Sequence, residues 1–319
     1  MMRAIAIAST TLIVVLATAG GYQPSSAAAA GKPELVYRSN GASISAPAVS
    51  GSNVAWVAGP RGRPGECVAG RKRLQVLGQN GKARTLSARK GRNYETTCVY
   101  RPTVAGTFVL WATPGRELIW ERGEGWVRRW RACCGQDLAW HHDITRDGNL
   151  HVFTRRSQRA WPRWIGADQQ ETRIWVETDR QTGQMRLLGS GLSLQLPESF
   201  DGLDAAGESI VFRVKEASGY GFVSVNRATG ALTTLVSGVQ RLSLPAVASG
   251  HAAYLRRDGK VERVELIDVD TGEVTLLASR KGKAAWGRGQ IVAGRPLDYD
   301  GARVVFSSGR QVLELPAER

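Results

Sequence analysis

The chain has 319 residues, of which 42% are hydrophobic, so it can bury a large core without needing a metal ion or disulfide to fold. Its 37 glycines and 12 prolines indicate frequent turns and argue against a helical protein. Arginine supplies most of the cations behind the formal charge of +15, which favours planar contacts to carboxylate, sulfate or phosphate groups.

Residues 1–30 have the pattern of an export signal followed by an Ala/Ser-rich linker. Arg3 supplies a positive charge, and a largely apolar stretch of 13 residues follows, which is too short for a comfortable membrane span. Small residues then allow cleavage after Ala19 or after Ala30. We expect a secreted or envelope protein with one domain over 31–319 and no transmembrane segment after signal removal. An uncleaved N-terminal anchor is the alternative.

Inside this domain a glycine is repeatedly followed, five residues later, by an aromatic residue. From position 56 to position 306 the aromatic residues occur in five intervals with a mean of 50 residues, which indicates a repeated supersecondary unit. The copies, of which the fifth is one residue short, are Gly51–Trp56, Gly106–Trp111, Gly148–Phe153, Gly207–Phe212, Gly250–Tyr254 and Gly301–Phe306.

A second repeat lies between copies of the first. It is a turn ending in glycine, with a large apolar residue five positions later, and three of its copies carry Thr before the Gly, as in Asp268–Gly272. Such residues suit tight turns. The two repeats together predict units of four short strands, with the aromatic residue in the second strand. A single four-stranded sheet cannot bury both faces, whereas a ring of sheets can.

The ends of the chain indicate how a ring would close. The sixth copy stops after its third strand, and Glu34–Tyr37 is a spare strand ahead of the first copy. The whole pattern resembles the TolB-type and WD40-like six-bladed propellers over residues 34–316. The resemblance implies an all-β fold, a single six-bladed β-propeller of four-stranded blades, in which the N-terminal strand completes the last blade. That family includes binding scaffolds and some enzymes, so the fold alone assigns no function.

The long insertions follow the second strand of a unit or separate one unit from the next. In propellers of the kind that this sequence resembles, both kinds of connection emerge on one face, so the resemblance implies that the insertions share one face. Four of them hold 16 Lys or Arg and 4 Asp or Glu, which predicts a basic face that attracts anions. Ordinary loop polarity is the alternative. The insertions are 58–73, 87–100, 131–139, 155–172 and 278–290, the third being the one left out of this count.

Tryptophans interleave with these charges, most densely in the run from Arg155 to Trp164. Their rings stack on sugars or bases and pair with guanidinium groups, although covering a hydrophobic rim is the alternative. Trp286 is included here as a loop aromatic. The predicted binding residues are Arg92, Arg155, Arg156, Arg159, Trp161, Arg163, Trp164 and Lys281.

Four cysteines lie in the same insertions. An even number of cysteines in an exported chain predicts two disulfides. We favour Cys67 and Cys98 each bridging to one member of the pair Cys133 and Cys134. A Cys67–Cys98 bridge with a vicinal bond is the alternative.

Two segments resemble metal sites. His141–Asp143, with His151 further on, has ligand chemistry, but 141–144 has the pattern of a strand, in which adjacent histidines point to opposite faces. Asp268–Gly272 loosely resembles a calcium loop but lacks the remaining oxygen ligands, which favours a simple turn. We therefore predict neither a metal ion nor a cofactor.

The leading hypothesis is an exported, non-catalytic and monomeric scaffold whose basic face binds an anionic partner. That partner would be a cell-envelope polymer, a lipid headgroup or a protein.

The sequence has no Gly-x-Ser-x-Gly nucleophile motif and no phosphate-binding or dinucleotide motif, and no catalytic residue is predicted. The alternative is an extracytoplasmic lyase or glycoside-active enzyme, using a histidine with carboxylates at a channel mouth. Nucleic acid suits the charge, but export argues against it physiologically. The candidate carboxylates are Glu66, Glu95, Asp137 and Asp143.

Overall fold

The computed structural model describes a succession of antiparallel sheets. Within the described ranges every regular element is a strand and no helix occurs. The described ranges are 31–59, 73–78, 80–86, 100–105, 108–113, 116–121, 125–131, 141–144, 150–153, 175–178, 184–188, 192–195, 200–206, 208–226, 229–282, 286 and 296–317.

Sheets A and B are four-stranded, with neighbouring strands following one another in chain order. The aromatic residues of the repeat, Trp56 and Trp111, lie in their second strands, as predicted. Sheet A consists of β2 (Ser43–Ser50), β3 (Asn53–Gly59), β4 (Arg73–Leu77) and β5 (Ala83–Thr85). Sheet B consists of β6 (Tyr100–Ala105), β7 (Phe108–Thr113), β8 (Arg116–Glu121) and β9 (Gly125–Arg131).

The next part of the chain forms two smaller sheets, C and D. The strand predicted at 141–144 is present and lies in sheet C, with Asp143 opposite His151. The repeats did not predict the last strand of sheet D, which pairs with the strand before it. Sheet C consists of β10 (His141–Ile144) and β11 (Leu150–Phe153). Sheet D consists of β12 (Trp175–Thr178), β13 (Gln184–Leu188) and β14 (Leu192–Gln195).

Sheets E and F repeat the four-stranded arrangement. In sheet F the first strand is interrupted, so that two short segments, β19 and β20, pair with β21 one after the other. Sheet E consists of β15 (Phe200–Ala206), β16 (Ser209–Glu216), β17 (Gly219–Asn226) and β18 (Leu232–Val239). Sheet F consists of β19 (Arg241–Leu242), β20 (Ala246–Ala248), β21 (His251–Asp258), β22 (Val261–Asp268) and β23 (Val274–Lys281).

Sheet G joins the two ends of the described chain. Its three C-terminal strands are β24 (Leu297–Tyr299), β25 (Arg303–Ser308) and β26 (Gln311–Pro316). Its fourth strand is β1 (Glu34–Arg38), which pairs antiparallel with β26. The spare N-terminal strand expected from the sequence therefore lies beside the last strand of the chain.

The strand order gives each four-stranded sheet two distinct edges. We call the edge with the connections between first and second and between third and fourth strands the turn edge. We call the opposite edge, with the remaining connections, the loop edge. The insertions predicted at 58–73 and 278–290 overlap with strands in the structure, because β4 begins at Arg73 and β23 continues to Lys281. Pairing between β22 and β23 continues as far as Val261 opposite Lys281, which keeps these residues in the sheet.

Neighbouring sheets pack face to face around hydrophobic clusters. The aromatic residue of the second strand is fully buried in each case described and faces the preceding sheet where the cluster is defined. Tyr254 packs with sheet E, Phe306 with sheet F and Trp56 with sheet G. Tyr254 also makes an edge-to-face contact with Phe222 of sheet E, with centroids 5.2 Å apart. The glycine-aromatic repeat thus places one large ring in successive sheet interfaces, where burial of apolar area stabilises the stack.

Buried carboxylates link the first strand of one sheet to the first strand of the next. In sheet E, Asp204 Oδ2 accepts a hydrogen bond from the amide of Val247 in sheet F at 2.8 Å. In sheet G, Asp298 Oδ2 accepts one from the amide of Val49 in sheet A, also at 2.8 Å. Each aspartate lies opposite the residue that directly precedes the repeat aromatic of its own sheet. Each valine lies opposite the residue two positions before the repeat aromatic of its own sheet. Asp204 and Asp298 therefore perform the same task at two sheet interfaces.

A second contact holds sheet G to sheet A at the turn edge. Asp300 Oδ2 accepts from the amide of Gly51 at 2.9 Å, and Arg303 donates to the Gly51 carbonyl and to Glu314. Asp300 Oδ1 also accepts from the amide of Arg303, so the turn is held internally. Both backbone groups of Gly51 are thus bound by the neighbouring sheet.

The Asp268–Gly272 segment is a turn, as predicted. Asp268 Oδ1 accepts from the amides of Asp270 and Thr271 at 3.0 and 2.7 Å and from the Thr271 hydroxyl at 2.9 Å. Gly272 has φ +74°, a conformation that favours glycine. In the corresponding turn of sheet E, Asn226 Oδ1 accepts from the Thr229 amide at 3.0 Å. One turn therefore uses a charged acceptor where its counterpart uses a neutral one.

Replacement of Asp268 with asparagine should remove an acid-sensitive part of the stability. The Thr271 amide, with further hydrogen bonds from the Thr271 hydroxyl and the Asp270 amide and the charge of His251, lowers the Asp268 pKa, while partial burial opposes this. A carboxyl whose folded pKa is depressed stabilises the fold above its unfolded value, here 3.8, and this contribution is lost as the pH falls through the lower folded value.

The wild type should exceed Asp268→Asn in stability at pH 7 by less than about 1 kcal/mol, because water screens this partly exposed group. The difference should vanish in urea titrations below the folded pKa. Asn226→Asp, which adds the missing charge to the matched turn, should gain an acid-sensitive contribution of the same sign. A pH-independent difference between Asp268→Asn and the wild type would contradict the assigned role.

Candidate anion-binding edge

Charge is segregated between the two edges of sheet F. Within three residues of the strand ends at the loop edge, or in the connecting turn, lie seven basic and two acidic residues. The turn edge of the same sheet carries Asp268, Asp270 and Glu273. The loop-edge residues are Arg241, Arg256, Arg257, Asp258, Lys260, Glu262, Arg263, Arg280 and Lys281.

One pair of these arginines shares a carboxylate within the sheet. Arg256 on β21 lies opposite Arg263 on β22. Both donate to a single oxygen, Asp258 Oδ2, from Arg256 Nε at 2.7 Å and from Arg263 Nη1 at 2.6 Å. These charge-assisted bonds are short, and they show that two opposed guanidinium groups at this edge converge on one anionic oxygen.

A second row of charges lies on the other face of the strands. The register places Arg241 opposite Arg257, Arg257 opposite Glu262 and Glu262 opposite Arg280. Arg241 and Arg280 are exposed and Arg257 is half-buried, whereas Glu262 is only 1% exposed. The row therefore presents its arginines, not its carboxylate, to the solvent.

Glu262 connects this row to the segment that follows sheet F. Its Oε2 accepts a hydrogen bond from the Trp286 amide at 3.1 Å. Trp286 pairs with Ser308 through an isolated bridge and makes an edge-to-face contact with Phe306, with centroids 5.3 Å apart. The prediction that Trp286 is a loop aromatic available to a ligand is wrong. Its side chain is 5% exposed and packs in the core between sheets F and G.

Of the binding residues predicted from the sequence, the structure describes Lys281, which is exposed at the last position of β23. The other predicted binding residues and the four cysteines lie outside the described residues. The channel-mouth carboxylates of the enzyme hypothesis do so as well, apart from Asp143 in β10. The predicted binding residues and cysteines that lie outside the described residues are Arg92, Arg155, Arg156, Arg159, Trp161, Arg163, Trp164, Cys67, Cys98, Cys133 and Cys134.

The charge predicted from the insertions includes Arg280 but not two further arginines at strand ends. Arg241 and Arg257 lie outside the insertions, and their pairing depends on β19 lying beside β21. The adjacent Arg256-Arg257 in a predicted second strand was the available signal, because adjacent strand residues point to opposite faces and both faces thus carry a cation.

In the part of the chain that the structure describes, no group of three or more His, Cys, Asp or Glu side chains is placed to hold a metal ion. The described residues also form no helix with the length and apolar character needed to cross a membrane.

The chain is similar to several solved structures at low sequence identity. No family model and no curated protein matches the chain. Among solved structures, the uncomplexed acylaminoacyl peptidase of Pyrococcus horikoshii is similar, with a TM-score of 0.53 and 13% identity over 87% of this chain and 52% of that chain. Putative TolB from Agrobacterium tumefaciens has a TM-score of 0.48 and 16% identity over 87% and 93% of the two chains. The β-propeller domain of the Trilobed protease from Pyrococcus furiosus has a TM-score of 0.46 and 13% identity over 88% of this chain and 95% of that chain.

The described part of the chain is all-β, and five of its seven antiparallel sheets contain four or more strands, as in a β-propeller. The chain spans about half the length of the P. horikoshii peptidase, 52%, and the 13% identity shows the fold alone.

Proposed function

We propose that this chain is an exported, non-catalytic and monomeric binding scaffold whose loop edge binds an anionic partner of the cell envelope. The partner is an acidic polymer, a lipid headgroup or an acidic protein surface, and not nucleic acid. The observation that carries the proposal is the charge segregation in sheet F, whose loop edge has seven basic and two acidic residues. An edge with this excess of positive charge focuses the electric field and attracts anions from solution.

The proposed architecture is a six-bladed ring over residues 31–319. Sheets A, B, E, F and G each account for one blade, and sheets C and D together account for the remaining one. Pairing of β1 with β26 supports closure of the ring through the N-terminal strand. Residues 1–30 serve as signal peptide and linker, and two disulfides among the four cysteines fasten the insertions at the loop edge.

In this architecture the basic insertions predicted from the sequence extend from the same edge as the strand-end arginines. Strands β3 and β4 flank the first insertion, and β23 and β24 flank the last. In each case the flanking strand ends lie at the loop edge. The insertions and sheet F would therefore contribute to one positive surface.

Charge reversal tests this function. At low salt the wild type should bind poly-L-glutamate and vesicles containing anionic phospholipid, and added salt should weaken binding by screening. The double variant Arg155→Glu/Arg163→Glu should lower the affinity about tenfold or more, since each reversal replaces an attraction with a repulsion.

The matched control is Lys32→Glu/Lys82→Glu, which makes the same change in net charge at two exposed positions on the turn-edge side. This variant should stay within about twofold of the wild type, because its charges lie at the opposite edge from the partner. Equal losses in the two double variants, or no binding of either probe at low salt, would overturn the proposed function.

A further inference from the structure

We propose that Arg241 and Arg257 together bind one oxyanion of the phosphate or sulfate class at the loop edge of sheet F. Arg241 is the first residue of β19 and lies directly opposite Arg257 on β21. Side chains opposite each other on neighbouring antiparallel strands have Cβ atoms about 5 Å apart. Two guanidinium groups at that spacing repel each other unless an anion lies between them.

The same sheet contains a filled version of this arrangement. Arg256 and Arg263 also lie opposite each other on neighbouring strands, and both donate to Asp258 Oδ2 at 2.7 and 2.6 Å. On the other face, Arg241 and Arg257 have the same cross-strand relation, and within the described residues no carboxylate forms a hydrogen bond or ion pair with either of them. An oxyanion from solution would occupy the position that the Asp258 carboxylate occupies in the first pair.

The backbone around the Arg241–Arg257 pair is held in place. The buried Arg213 of sheet E donates through Nη1 to the carbonyl of Leu242, next to Arg241, at 2.8 Å. The Ser243 amide donates to the Leu255 carbonyl at 2.9 Å, which fastens the same segment to β21. Fixed backbone positions reduce the conformational entropy that is lost when an anion binds.

Arg257 is itself oriented before any ligand binds. Its Nε donates to the Gly259 carbonyl at 3.0 Å. Within the described residues, the two terminal nitrogens of this guanidinium group make no hydrogen bond and remain as donors. A guanidinium group binds a planar or tetrahedral oxyanion through two parallel hydrogen bonds, which makes arginine better suited to such ligands than lysine.

The charge of the row selects the class of ligand. Arg241, Arg257 and Arg280 contribute three positive charges and Glu262 one negative charge, so the row carries a formal charge of +2. A divalent tetrahedral oxyanion matches this charge, whereas chloride lacks the separate oxygen atoms that two guanidinium groups need. The ligand is either free inorganic phosphate or sulfate or the terminal phosphate of a larger envelope component. The second source rests on the proposed function.

Titration of the full mature chain with inorganic phosphate and sulfate at constant ionic strength tests the site. Calorimetry measures affinity, and NMR of the arginine Nε–Hε groups reports on the guanidinium groups directly. Loss of one charge-assisted pair of hydrogen bonds in Arg241→Gln or Arg257→Gln should weaken phosphate binding about tenfold. Arg241→Lys, which keeps the charge and loses the fork geometry, should retain only part of the affinity. Lys82→Gln, the matched loss of one exposed charge at the turn edge, should stay within about twofold.

Equal weakening by Lys82→Gln, unchanged affinity in both arginine variants, or equal effects of chloride and phosphate would overturn the oxyanion site. Loss of phosphate binding in Arg241→Gln with unchanged binding to poly-L-glutamate supports the site and separates it from the broader function. Phosphate binding without any polymer or vesicle binding leaves this site standing as a free-oxyanion site and overturns the proposed function.

Discussion

Replacement of Asp298 with alanine is expected to lower the free energy of unfolding by about 2–4 kcal/mol. The carboxylate accepts the amide of Val49 at 2.8 Å in a buried position and links sheet G to sheet A. Alanine removes a charged acceptor and leaves a buried amide without a replacement, and both effects destabilise the folded state. Urea or thermal unfolding measures the loss.

Two variants serve as comparisons for Asp298→Ala. Asp204→Ala should cost a similar amount, because Asp204 makes the equivalent bond to Val247 at the interface of sheets E and F. Asp270→Ala removes the same charge from an exposed turn position and should change stability by less than about 0.5 kcal/mol. If Asp298→Ala were no more destabilising than Asp270→Ala, the inter-sheet role of the carboxylate would be excluded.

Replacement of Trp286 with alanine is expected to destabilise the protein by about 3–5 kcal/mol. The indole is 5% exposed and contacts Phe306 in the cluster between sheets F and G. Its removal leaves a cavity that the surrounding strands can fill only in part. A ligand-stacking tryptophan on a loop would instead lose partner binding and leave unfolding unchanged, so unfolding measurements separate the two roles.

Trp286→Phe provides the control for this prediction, since it keeps an aromatic ring against Phe306 and leaves a smaller void. It should recover a substantial part of the stability lost in Trp286→Ala. The hydrogen bond from the Trp286 amide to Glu262 involves the backbone of Trp286 and remains available in both variants. Unfolding of Trp286→Ala at the wild-type midpoint would show that the ring does not contribute to the core.

Much of the local structure could be predicted because its determinants are contiguous in the chain. The Asp268–Gly272 turn closes through bonds from Asp268 to Asp270 and Thr271, all within three residues. The glycine-aromatic repeat likewise specifies a turn and the strand that follows it, and in the described part of the chain Trp56, Phe212 and Phe306 are all fully buried. Alternation of side chains along a strand makes such burial readable from spacing.

The candidate site was only partly predictable for the opposite reason. The sequence shows that basic residues are abundant and that insertions recur, and Lys281 is a predicted binding residue on that basis. The pairing of Arg241 with Arg257 depends on the interrupted first strand of sheet F, in which β19 and β20 share one edge of β21. No spacing rule in the sequence marks that interruption, so the register of Arg241 could not be assigned.

The all-β class, the four-strand unit, the chemistry of its turns and the spare N-terminal strand could all be predicted, because each depends on residues that are neighbours along the chain. Which side chains meet across sheets is visible only once the strands are assembled. Asp298 and Val49 are 249 residues apart. Trp286 became a core residue through contacts with Phe306 and Glu262. Contacts at such separations depend on how whole sheets pack, and local patterns of hydrophobicity and charge do not encode that packing residue by residue.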